Sequence, residues 1–212
     1  MGHPPAKRTR KREDLIRVGR ALIVRKGFNA TGLSDILSTA EVPKGSFYYY
    51  FDSKEDFGLA IIEDSAISYR QKLDNTLGNV EVSPLARLEN YFNRGIEELE
   101  ASQFEEGCLF GNLAQEMSAQ NPLFRDRLNE IFSECESRLV QCLEAAHEEE
   151  QTTVKPSAEL AQFIFSSWQG ALLRSKLAVS AEPLHTFVKV VFEQTLGAPV
   201  PSSSNAQKSA VG

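Results

Sequence analysis

With 212 residues, 42% of them hydrophobic and 25% charged, the chain has the balance of an ordinary soluble globular protein, one large domain or two small ones. No apolar run approaches the ~20 residues of a membrane helix, and the basic N-terminus MGHPPAKRTRKRED lacks the apolar stretch of a secretory signal. The net charge of −6 hides an asymmetry: residues 1–54 carry 11 Lys and Arg against 5 Asp and Glu, a net of +6, and the remainder a net of −12. That pattern suits a small basic module facing nucleic acid on an acidic body.

In chain order, residues 1–8 are short of apolar content and are expected to be disordered. A helix is predicted from Thr9 to Lys26, with Leu15, Val18, Leu22 and Ile23 at helical spacing and Gly27 as its C′ residue. Thr31 is placed to cap a short second helix, Leu33 to Ala40, ended by the Glu41-Val42-Pro43 turn. Pro43-Lys-Gly-Ser-Phe-Tyr-Tyr-Tyr-Phe51 follows, able to bury Phe47, Tyr50 and Phe51 while presenting Lys44, Ser46, Tyr48 and Tyr49. Two short helices joined by a tight turn are the helix-turn-helix plan, whose second helix enters the major groove. Ser53-Lys-Glu-Asp56 reads as a capping box opening a helix that continues to Leu77.

Five more helical stretches are expected. These are 84–100 with the stripe Leu85, Leu88, Phe92, Ile96 and Leu99; Phe104 to Met117; a long one opened by Asn121-Pro122; Pro156 to Val179; and one opened by Glu182-Pro183 with Phe187, Val190 and Val191 inside. The tail PVPSSSNAQKSAVG is of low complexity and expected to be disordered. No segment alternates with period two, so the fold class is all-α. A basic arm and three-helix DNA-binding module is expected over 1–54, a larger helical bundle over 55–197, and a disordered tail over 198–212.

Gly27-Phe28, Thr31, Ile36, Val42, Lys44-Gly45, Phe47-Tyr48, Tyr50-Phe51, Ser53-Lys54-Glu55 and Phe57 together resemble the DNA-binding signature of TetR-family regulators, over about 45 residues without a gap. Gly32 departs from it, since many members carry Ser, Thr or Val there. Gly107-Cys108-Leu109, Gly111-Asn112-Leu113, Gln115-Glu116-Met117, Trp168-Gln169-Gly170-Ala171, Lys176 and Glu182-Pro183-Leu184 are similar to the subgroup of N-ethylmaleimide- and acrylate-responsive repressors. The resemblance implies a cytoplasmic homodimer that binds a palindromic double-stranded operator, is released by a small-molecule or electrophile effector, and performs no catalysis.

The residues support a DNA role on their own chemistry. Lys44 can reach a phosphate or a guanine edge, Ser46 can bond either, and Gly45 lies between them. Tyr48 and Tyr49 can pack on sugar or thymine methyls with their hydroxyls at phosphate. Lys54, and Thr31 likewise, sit where helix N-termini favour phosphate. Lys7, Arg8, Arg10, Lys11 and Arg12 can follow the backbone or enter a minor groove.

For sensing, Cys108 stands at a helix start, which favours a thiolate, while Glu105 and Glu106 oppose it. Lys176, on a face with Phe165, Trp168 and Leu172, is a candidate partner for that thiolate. Asn112, Gln115, Glu116 and Trp168 can line a pocket for a short carboxylate. Cys135 and Cys142 read as core, and an odd count of three Cys points to a reducing compartment. His3, His147 and His185 have no ligand spacing, so neither metal nor cofactor is expected. Three alternatives remain at this stage: a non-covalent acid sensor in which Cys108 never reacts, a helical enzyme using Cys108 as nucleophile without a nearby His, and a helical protein-interaction module, which the acidic body fits and the basic aromatic N-terminal module does not.

Overall fold

The computed structural model describes the backbone of residues 5–200 and side chains from Thr9 onward. The described residues form helices and turns without a strand, so the all-α expectation holds. The helices are α1 (Pro5–Lys26), α2 (Leu33–Thr39), a 3-10 helix (Lys44–Tyr49), α3 (Lys54–Asn75), α4 (Pro84–Ala101), α5 (Leu109–Met117), α6 (Pro122–Glu148), α7 (Ala158–Ala178) and α8 (Glu182–Lys189), the last continuing into a π-helical turn, Val190–Thr195.

Local chemistry sets most of these boundaries. Gly27, at φ +87, ends α1 in the left-handed conformation that costs glycine least. Ser53 Oγ accepts the Asp56 N–H at 2.9 Å and the Asp56 carboxylate accepts the Asp52 N–H at 3.1 Å, a capping box reaching one residue further back than the usual form. Asn121 and Ser157 cap α6 and α7 by accepting the N–H groups of Phe124 and Leu160, both at 3.1 Å.

Several boundaries differ from expectation. α1 begins at Pro5 rather than Thr9, proline being well suited to a first helical position. α3 stops at Asn75, short of Leu77. α5 begins at Leu109 rather than Phe104, because Gln103, Phe104 and Gly107 all take positive φ and hold the preceding segment out of a helix. Val190 is 39% exposed rather than inside. Of the tail, Ala198 is buried and its N–H donates to the Phe192 carbonyl at 3.0 Å; the rest from 201 lies outside the described residues, as do residues 1–4.

The chain divides into two compact units, one running up to Gln71 with Glu105–Phe132 added, the other comprising Lys72–Phe104 and the chain from Ser133 onward. The sequence places its boundary at 54/55 instead. The difference arises because Ile61, Ile62 and Ala66 of α3, with Phe110, Leu113 and Met117 of α5, are part of the same apolar core as Leu15, Ile36, Phe47 and Phe51. That core holds an aromatic nest in which Phe51 and Phe57 ring centroids lie 4.8 Å apart and Phe47 lies 5.5 Å and 5.6 Å from them.

The second unit is built on α4, α7 and α8. All five residues of the predicted α4 stripe are buried. Trp168 packs against Phe92 at 5.0 Å and Phe187 at 5.4 Å, and Gly95 is small because a Cβ there would meet the Trp168 ring at 2.6 Å. Cys135 and Cys142 are core residues here, Cys142 Sγ donating to the Pro84 carbonyl at 3.2 Å with burial pushing its thiol up to about 12.

Candidate functional site

The segment expected to read DNA is a six-residue 3-10 helix, tighter than the α-helix such a role suggests. Its i→i+3 closure is seen at each end, Ser46 N–H to the Pro43 carbonyl at 2.9 Å and Tyr50 N–H to the Phe47 carbonyl at 2.8 Å. Phe47 and Phe51 are buried and Tyr50 is half-buried, so the segment is anchored from one side. Burying one phenyl ring contributes about 1.5–3 kcal/mol. On the other side Lys44 and Gly45 are exposed and Ser46 is half-buried, while Tyr48 and Tyr49 are 70% and 51% exposed. Each exposed ring is steadied from the anchored side, Tyr48 against Phe47 at 5.4 Å and Tyr49 against Tyr50 at 5.1 Å between ring centroids. A Cβ built at Gly45 meets nothing within 4 Å, so its smallness serves no packing inside the chain.

Two of the expected DNA contacts are placed otherwise. Thr31 is fully buried, with Oγ1 donating to the Gly27 carbonyl at 2.6 Å; Gly32, in extended conformation, takes the N-cap position of α2. The hydroxyl therefore closes a turn and is not available to a phosphate. Lys54 Nζ donates to the Phe28 carbonyl at 2.8 Å, reaches the Asn29 carbonyl at 3.5 Å and lies 4.7 Å from the Phe28 ring centroid. Its ammonium fastens the turn after α1. Of the basic arm, Arg10 and Lys11 belong to helix α1, and the Arg12 guanidinium stands 4.9 Å over the Phe51 ring; the side chains of Lys7 and Arg8 lie outside the described residues.

Among the sensing residues, Cys108 is the N-cap of α5, and its Sγ accepts the Gly111 N–H at 3.4 Å. The two carboxylates before it are paired with Arg25, Glu105 at 3.6 Å and Glu106 at 3.1 Å. Asn112 is half-buried and donates through Nδ2 to the Val24 carbonyl at 3.3 Å, which ties α5 to α1. Gln115 is exposed. These residues lie in the first unit; Trp168, buried in its aromatic cluster, and Lys176, half-buried on α7, lie in the second. Glu116 has a role that residue type alone does not reveal: its carboxylate accepts the N–H groups of Phe28 and Asn29, both at 2.7 Å. Among the described residues, no three His, Cys, Asp or Glu side chains converge as metal ligands, and no helix is long and apolar enough to cross a membrane.

The family described as "Bacterial regulatory proteins, tetR family" matches residues 15–61, and "Tetracyclin repressor-like, C-terminal domain" matches residues 84–191. The chain is 36% identical to the HTH-type transcriptional repressor DhaR of Mycobacterium sp. strain GP1, over 93% of this chain and 96% of that one. It is 38% identical to the transcriptional regulator AcuR of Cereibacter sphaeroides, over 84% and 81% respectively. The crystal structure of the reduced form of Escherichia coli NemR superposes with a TM-score of 0.77 at 34% identity, covering 84% of this chain and 93% of that one. The chain belongs to the tetR family of bacterial regulatory proteins, helix-turn-helix transcriptional regulators and not enzymes.

Proposed function

We propose that the protein is a homodimeric repressor that holds a palindromic operator through the Lys44–Tyr49 face and leaves it when an electrophile adds to Cys108. The exposed, anchored Lys44–Tyr49 segment carries the DNA half of this reading. Lys44 and Ser46 supply polar contacts to base edges or phosphate. Tyr48 and Tyr49 pack on the sugar backbone. The bare Gly45 permits close approach of the DNA.

A second copy is the natural occupant of the α7 face. Phe163, Ser166, Gly170, Leu173 and Leu177 recur at spacings of three and four, and all five are exposed. Gly170 faces open space, so a partner helix can approach closely. Ala171, Phe187 and Val191 are buried within their own chain and take no part in this face. Two modules related by a two-fold axis read half-sites about one helical turn apart, or a multiple of that.

The sensing half rests on the Cys108 cap. An N–H directed at sulfur at a helix N-terminus favours the thiolate over the thiol, and Arg25 offsets the opposing charge of Glu105 and Glu106. This reading draws on groups of one unit and needs no help from Lys176. The thiolate adds to the activated carbon of a C=C bond, as in N-ethylmaleimide or acrylate; a C–S bond forms and the displaced π pair takes a proton from water. A bound operator and a cytoplasmic location go with this role.

The test is a mobility shift on the DNA upstream of the protein's own gene. Wild type is expected to retard it, and N-ethylmaleimide to release it, while Cys108→Ser retards it with or without reagent. Release of the Cys108→Ser protein by acrylate would support a non-covalent acid sensor instead.

A further inference from the structure

The turn that joins α1 to α2 has peptide groups with no helical partners of their own, and two neighbouring helices supply them. The last carbonyls of a helix and the first N–H groups of the next are orphans that must be satisfied from outside. At this turn the Phe28 and Asn29 N–H groups both go to the Glu116 carboxylate of α5, while their carbonyls go to Lys54 of α3. Gly27 is pressed against the same carboxylate, since a Cβ there would lie 3.0 Å from Glu116 Oε2. Four residues before Glu116, Asn112 donates to the Val24 carbonyl near the end of α1; four after it, Gln120 accepts from Asn29 Nδ2 at 3.5 Å. Four before Asn112 is Cys108, the cap of α5. Asn112 and Glu116, four apart within α5, fall on one side of that helix, with the Cys108 cap at its start and Gln120 in the turn beyond its end.

We infer that Glu116 is a positioning residue for DNA recognition. Its seam holds the Gly27–Asn29 turn, and through it α2 and the Lys44–Tyr49 segment, in the arrangement that fits the operator. α2 packs directly on both α1 and the 3-10 helix, so a turn released from α5 re-aims the reading face. The inference rests on the proposed DNA-binding role and supplies its coupling step. Loss of the Cys108 cap at one end of α5 loosens the carboxylate that clamps the turn at the other.

The experiment compares wild type, Glu116→Gln and Glu116→Asp for binding to the upstream operator and to unrelated duplex DNA, beside thermal unfolding. Gln keeps the shape but loses the charge and sets an NH₂ group against a backbone N–H. Hydrogen bonds to charged groups are the stronger kind, so operator affinity is expected to fall about tenfold or more. Affinity for unrelated DNA, set by phosphate contacts, is expected to stay the same. A residue that merely stabilised the fold would lower both together. Amide exchange on unmutated protein gives a second measurement: Phe28 and Asn29 N–H groups are expected to be protected and to lose protection after N-ethylmaleimide treatment. Equal operator affinity in Glu116→Gln, or DNA release by the reagent with both amides still protected, overturns the seam. A wild type that binds no operator overturns the functional reading beneath it.

Discussion

At the scale of single residues, neighbouring aromatic side chains do opposite jobs. Phe47 is 1% exposed and shares ring contacts with Phe51 and Phe57, whereas Tyr48 beside it is 70% exposed. Phe47→Ala is therefore expected to cost about 3–5 kcal/mol of unfolding free energy, the range for a fully buried phenyl ring. Tyr48→Ala is expected to change stability by less than about 0.5 kcal/mol, as surface substitutions do, while weakening operator binding. Urea unfolding and a binding titration check the pair together. This split is legible in the sequence because three-dimensional placement follows from spacing within a nine-residue stretch. The fates of Thr31 and Lys54 are not legible in that way. Both belong to the family signature, yet both are turned toward the Gly27–Asn29 turn, Thr31 to the Gly27 carbonyl and Lys54 to the carbonyls of Phe28 and Asn29. A residue's polar type shows that it needs a partner, not which partner it finds.

At the scale of elements, near-neighbour patterns are readable at the Asn121 and Ser53 caps and in the α4 stripe, whereas the cap expected at Thr31 falls to Gly32. The seam between α5 and the end of α1 joins groups 87 and 88 residues apart, a distance over which no periodicity carries information. α4 shows the same limit within one helix. Its apolar stripe includes Glu89, which is buried; desolvation raises its carboxyl above the usual 4.5, and a hydrogen bond with Asn93 partly offsets this. The folded chain thus binds this proton more tightly than the unfolded one. Stability from this group is full at low pH and lost as pH rises through the raised value, so neutral pH carries the cost. Glu89→Gln is expected to raise the thermal midpoint at pH 7, with the advantage shrinking toward pH 4. Melting curves at the two pH values decide it; an equal shift at both would mean that charge is not the cause.

At the scale of the whole molecule, charge is divided along the chain. The basic surplus lies in residues 1–54, which include the Lys44–Tyr49 face, and the acidic surplus follows, part of it on the α3 and α5 segments that pack in the same unit. Net charge alone would argue against nucleic acid; its distribution argues for it. The structure then separates cations that face outward from those already engaged. Lys44 is exposed at the start of the Lys44–Tyr49 segment, and Lys54 holds two carbonyls of its own chain. Binding to the upstream DNA, measured from low to physiological salt for wild type, Lys44→Ala and Lys54→Ala, separates the two roles. Lys44→Ala is expected to lower the slope of log affinity against log salt by about one unit per charge removed, and Lys54→Ala to leave the slope unchanged while lowering the melting temperature. An unchanged slope for Lys44→Ala, with a reduced slope for Lys54→Ala, would contradict this division of roles.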